Sequence, residues 1–184
     1  SHRIDSPNAM NTHQSGRPNA CNLCHLDRSL GWASENLTQW FAQPPLQPSE
    51  ASSRVSAAII GMLSGDAAQR SIYAWHAGWQ PAMDQGRVAE WAPYVLSVLM
   101  EDDYSVVRYI AAESIRKFSG FEELDFDYVA SPELRQGIVQ SVLKQINDGE
   151  PGTADEALLI DEDGWIDKGK VRDLLLQRDR RPIQ

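Results

Sequence analysis

From Trp32 onward the apolar residues of this 184-residue chain recur every three or four positions. That is the period of helices that bury one face, and it confines the chain to a mainly α architecture. Leu37, Trp40 and Phe41 fall on one face after a cap expected at Ser34, and Pro44-Pro45-Leu46-Gln47-Pro48 then makes a stiff connector. Val55, Ala58, Ile59, Met62 and Leu63 share the next face, which Gly65 closes. Asp66 is placed to cap a helix carrying Ile72, Tyr73, Trp75 and Trp79. Pro93 is expected in the first turn of a helix with Val95, Leu96, Val98 and Leu99. A cap at Asp103 or Ser105 opens the next, with Val107, Ile110, Ala111, Ile115 and Phe118 inward, and Ser131-Pro132 opens one carrying Leu134, Ile138, Val142 and Ile146. Two helices read as copies: Asp66, Arg70 and Ala74 return as Asp103, Arg108 and Ala111, an offset of about 37 residues. Small alanines let paired helices approach, and each arginine is expected to pair with an acidic cap nearby.

The C-terminal stretch breaks the period. Ala157 to Ile160 and Trp165 to Asp167 flank Asp163-Gly164, which reads as a small β-hairpin, followed by a helix over about 170–177. A calcium loop centred on Gly164 would need carboxylates where Leu159 and Lys170 stand, so a tight turn is the better account.

Residues 1–30 are of a different kind, rich in Asn, Ser, Pro and Gly, and read as extended backbone and turns with little core of their own. They hold both cysteines of the chain, in the string Cys21-Asn22-Leu23-Cys24-His25. C-x-x-C-H is the spacing of c-type haem attachment. Two thiols one turn apart can form thioethers to the vinyl groups on one porphyrin edge, and the next residue offers its imidazole to the iron. A disulfide across so small a loop would stabilise little. A thioredoxin-type redox pair would need a βαβ setting, and no Val/Ile-rich strand precedes Cys21. A zinc site would need a fourth ligand from His2, His13 or Asp27.

The flanks Gly16-Arg17-Pro18-Asn19-Ala20 and Leu26-Asp27-Arg28, with Trp32 and Trp40 beyond, complete a P-N-A-C-x-x-C-H-x-D pattern. It closely resembles the last haem motif of bacterial multihaem c-type cytochromes. His2-Arg3-Ile4-Asp5-Ser6-Pro7 resembles the H-x-[FI]-x-x-P element that precedes that motif in the family. Asp103 to Ala112 likewise resembles the HEAT pattern D-x-x-x-V-R-x-x-A-A, and cytochromes of this type often carry a HEAT module behind the final haem motif. The resemblance spans roughly residues 1–126. It implies one haem c held by Cys21 and Cys24 with His25 as proximal ligand, either further C-x-x-C-H motifs N-terminal to this segment or a chain cut down to one haem, bacterial origin, and a periplasmic or extracellular location. His2 is the first choice for the second axial ligand, here or on a neighbouring haem, and His76, between Trp75 and Trp79, is the second. His13 is expected to be solvated and Met62 to lie in the core, with Met10, Met83 and Met100 as the remaining methionines.

With 26 acidic against 17 basic residues the chain carries a formal charge of −9, which disfavours nucleic acid and suits a basic partner. No apolar run approaches the roughly 18 residues a bilayer span needs, and no signal peptide is visible. G-x-S-x-G and the phosphate-binding glycine motifs are absent. The expected fold is therefore a short HEAT-like α-solenoid (49–150) preceded by an extended haem-attachment segment (1–48) and followed by a hairpin and helix (151–184). The expected function is electron transfer, with the helices as a docking scaffold for a redox partner protein or further haem domains. The alternatives are a helical interaction module whose C-x-x-C-H binds zinc or nothing, and a non-catalytic portion of a cytochrome redox enzyme.

Overall fold

The computed structural model describes residues 6–181. The fold is mainly helical, and among the described residues there are ten α-helices. The N-terminal segment holds α1 (Ala9–Ser15), a 3-10 turn at Cys21–Leu23, α2 (Leu30–Phe41) and the short α3 (Glu50–Arg54). The body follows as α4 (Ala57–Ser64), α5 (Ala67–Ala77), α6 (Gln80–Met83), α7 (Val88–Leu99), α8 (Ser105–Ile115) and α9 (Pro132–Asn147). A 3-10 turn at Glu156–Leu158 and α10 (Lys168–Leu176) complete it.

Caps explain most of the boundaries. Asp66 and Gln69 form a reciprocal capping box at α5, and Ser131 accepts from the Leu134 N–H at α9. At α2 the cap is Ser29, not Ser34: Ser29 accepts from the Trp32 N–H, while Ser34 lies buried inside the helix and accepts from the Leu46 N–H at 2.8 Å. Ser34 thus ties the proline-rich connector to α2. Neither Asp103 nor Ser105 caps α8. Tyr104 holds the cap position, and its N–H donates to the carboxylate of Asp102. Pro93 lies well inside α7 rather than in its first turn, because the helix already begins at Val88, which is buried. Residues 6–30 are also less extended than their composition suggests, since Asn8 caps α1 and the left-handed Gly16 ends it.

The core is formed where α5 lies against α8 and α4, and α7 against α8, α4 and α9. Ala74, Ala77, Ala111 and Ala112 are buried there. Where α5 ends, a Cβ added to Gly78 would meet the Ser114 backbone at 2.8 Å, so small residues do set the approach. Trp91, Leu96, Leu99, Met62 and Met100 are fully buried in the same cluster. Of the residues expected on the α5 face only Tyr73 is buried, whereas Ile72, Trp75 and Trp79 are exposed, as are Trp40 and Phe41 on α2.

The arginines of the two copied helices behave differently from each other. Arg70 does not pair with its own cap Asp66. It forms a bidentate pair with buried Asp102, at 2.7 Å from Nε and 2.9 Å from Nη2. Arg178, beyond α10, donates to the same carboxylate at 3.0 Å and to the Leu63 carbonyl. Arg108 instead donates to the main-chain carbonyls of Asp102, Asp103 and Tyr128.

Between Asp155 and Asp167 the chain makes isolated antiparallel bridges, Asp155 with Ile160 and Ile160 with Ile166, around the 3-10 turn. The tight turn is built by Asp161, whose carboxylate accepts from the Asp163 and Trp165 N–H groups, and by Gly164 at φ 84°. Gly164 also comes close to the Gly152 backbone, leaving no room for a side chain.

Candidate functional site

The C-x-x-C-H string is wound into one tight turn. The Asn19 side chain accepts from the Cys21 N–H at 2.9 Å, and the Cys21 carbonyl accepts from the N–H groups of Cys24 at 3.3 Å and His25 at 2.8 Å. Both cysteines are free thiols, each partly exposed. Burial pushes the Cys21 thiol above its ordinary pKa, against a smaller lowering from the backbone hydrogen bond. The His25 ring is partly exposed and stands 5.1 Å from the Trp32 ring, tilted by 56°. Arg28, paired to Asp27 at 3.1 Å, also lies over Trp32, 5.9 Å from the ring centroid.

Three residues that sequence reasoning passed over hold this turn in place. Asn22, between the cysteines, is fully buried and donates to the carbonyls of Arg28 at 2.9 Å and Ser29 at 3.3 Å. Its own carbonyl oxygen is buried without a partner. Leu26, just after His25, is fully buried in the main core. Ser56 caps α4 through the Ile59 N–H and donates its hydroxyl to the Leu26 carbonyl at 2.6 Å. The Ala57 N–H reaches the Arg28 carbonyl at 3.0 Å, and the Ser56 N–H reaches Ala157 at 2.9 Å. The surplus of Asn and Ser around the motif was the available signal, because these side chains supply hydrogen bonds to backbone that has no ladder.

His76 is brought to this site from α5. Its ring packs edge-on against Trp75 at 4.8 Å and Trp79 at 5.4 Å, and those two indoles stack at 6.0 Å. Nδ1 of His76 is buried with no partner. Desolvation holds the imidazole below its ordinary pKa, opposed by the nearby backbone of Leu23, inside the motif. Just beyond Trp79, the Pro81 carbonyl lies 3.8 Å from the Cys24 sulfur.

The other predicted ligands are not gathered here. His2 lies outside the described residues. His13 is exposed on α1, Met10 and Met83 are partly buried, and Met62 and Met100 are sealed in the core. Asp27 is engaged with Arg28. Among the described residues no three His, Cys, Asp or Glu side chains converge on a point that would hold a metal ion, and no helix is long and apolar enough to cross a membrane. No protein-family model matches the chain, and neither a curated protein nor a solved structure matches it significantly.

Proposed function

We propose that the chain is an electron-transfer protein that carries one c-type haem, attached through Cys21 and Cys24 with His25 as the proximal ligand. The observation that carries this reading is the state of the motif: two free, partly exposed sulfurs on one tight turn, followed at once by a partly exposed imidazole. That donor set fits a covalently held porphyrin, since two free thiols on one turn can supply the two thioethers and the imidazole that follows can reach the iron. The N-terminal segment also has an apolar deficit for such a group to fill. Its own buried cluster is Ala9, Leu30, Ala33 and Leu37, with Cys21 and Trp32 packed against it.

When bound, the haem supplies a one-electron couple. The residues of this chain anchor and shield it. Asn22, Leu26 and Ser56 fix the turn to the body, Trp32 restrains the His25 ring, and His76 with Trp75 and Trp79 offers an aromatic edge beside Leu23 and Cys24. His2 and His76 are the imidazoles proposed for the second axial position, and a bis-histidine iron would have a low potential. The body is proposed to be a short HEAT-like array, supported by the adjacency of α5 and α8, which carry the repeated Asp/Arg/Ala pattern. The acidic surface would then dock a basic redox partner or further haem domains, in the periplasm or outside a bacterial cell.

The test is maturation in an export-competent host with haem-attachment enzymes. The expected product gains the mass of about one haem per chain, keeps its Soret band after denaturation, and loses both in the Cys21→Ser, Cys24→Ser double variant. Colourless protein with free thiols from such a host, or stoichiometric zinc, would overturn the proposal.

A further inference from the structure

Between α7, the 118–121 turn, the end of α9 and the 149–168 segment lies a cleft of about 1100 Å³. Its walls are Tyr94, Phe121 and Trp165, and its rim carries Glu150, Asp161 and Asp167 against a single ammonium, Lys168. Glu90 also lines it, but its carboxylate is bound on both oxygens by Arg87, at 2.7 Å each, and by the Thr153 N–H at 2.9 Å. Its charge is therefore largely answered from behind. The rim carboxylates are differently placed. Asp161 and Asp167 each use Oδ1 to accept from main-chain N–H groups, which spends hydrogen-bonding capacity and no charge. Glu150 and Asp161 are exposed to solvent. Partial burial raises the Tyr94 phenol above its ordinary pKa.

Aromatic faces under an uncompensated carboxylate rim attract cations that carry an apolar stem, because the ring quadrupole and the carboxylates act on the same charge. The volume lies just above the range for small-molecule sites, roughly 300–1,000 Å³, and suits several side chains rather than one amine. We infer that this cleft binds a basic peptide segment of a partner protein, with arginine or lysine stems against Tyr94 and Trp165 and their charges at the rim. The formal charge of −9 on the chain favours such a partner over a neutral one. The inference does not depend on the haem reading, because the cleft shares no residue with the cysteine turn.

The experiment titrates the full chain with tetra-arginine amide, with spermidine and with tetra-glutamate, following amide and indole signals by NMR and heat by calorimetry. Tetra-arginine should shift Trp165, Gly152 and Gly164, and its affinity should fall as salt rises. The triple variant Glu150→Gln, Asp161→Asn, Asp167→Asn keeps every Oδ1 acceptor and removes three charges, and should bind at least about tenfold more weakly. Glu35→Gln on α2 should bind as the native chain does. Spermidine binding as tightly as the peptide, tetra-glutamate shifting the same signals, or a triple variant of native affinity would each overturn the inference.

Discussion

The two ends of the molecule are held by different forces. Around α5, α7 and α8, helices bury tryptophan, leucine and methionine in one continuous cluster. Residues 6–54 bury four small or medium side chains in a satellite of their own, reach the main core through Leu26, and are otherwise held by hydrogen bonds involving Asn19, Asn22, Ser29 and, from the body, Ser56. Apolar burial grows with area and makes a body that opens as one unit. A segment tied by polar side chains to its own backbone is fixed in shape and only modestly stabilised, since each such bond nets about 1 kcal/mol. A turn of that second kind is what the proposed covalent attachment would need, a fixed shape with room for a group that brings its own apolar surface.

Four substitutions would break or sharpen this contrast. Trp91→Ala removes the largest fully buried side chain of the body and should cost about 4 kcal/mol in denaturant unfolding, with all helices lost together. Asp102→Ala leaves the guanidiniums of Arg70 and Arg178 facing each other without their carboxylate and should cost about 3 kcal/mol. Asp102→Ala should also release α10, seen as faster amide exchange there before α5 and α8 respond. Leu37→Ala in the satellite cluster should cost about 2 kcal/mol and act locally, raising exchange in α1 and α2 while the body midpoint barely moves. A global loss as large as that of Trp91→Ala would show that the two regions are one cooperative unit.

The smallest effect concerns acid. Hydrogen bonding to Arg87, with help from the Thr153 N–H, holds Glu90 below the ordinary glutamate pKa despite some desolvation. A carboxylate whose folded pKa is depressed contributes stability that is complete above its unfolded value of about 4.3 and fades as pH falls through the folded one. Glu90→Gln should therefore flatten the decline of stability on acidification below about pH 5, measured by thermal melts. The cysteine turn, held by hydroxyl and amide groups, should not share in that decline.

How the structure was legible varied by type of feature. The cap at Asp66, the start of α9 at Ser131 and Pro132, the core position of Met62 and the tight turn at Asp163-Gly164 could be read directly, because each follows from local spacing or from the helical period. Ser29 in place of Ser34, Asp102 in place of Asp66 as the partner of Arg70, and Pro93 within α7 could not. The first two were settled by which side chain had a partner from another element, Leu46 for Ser34 and Arg70 for Asp102. The cysteine spacing marked the candidate site and the setting between Trp75 and Trp79 made His76 a candidate ligand, but the edge-on packing of its ring against both indoles came only from the fold.

Local order in this protein follows from its linear code, since helix period, caps and turns are decided within a few residues where hydrogen bonds and side-chain faces repeat. Tertiary packing alone chose which arginine met which carboxylate, which tryptophans stayed in water and what stands beside the cysteine turn. Those choices join residues tens of positions apart, where burial and charge pairing across helices outweigh any preference the neighbours express.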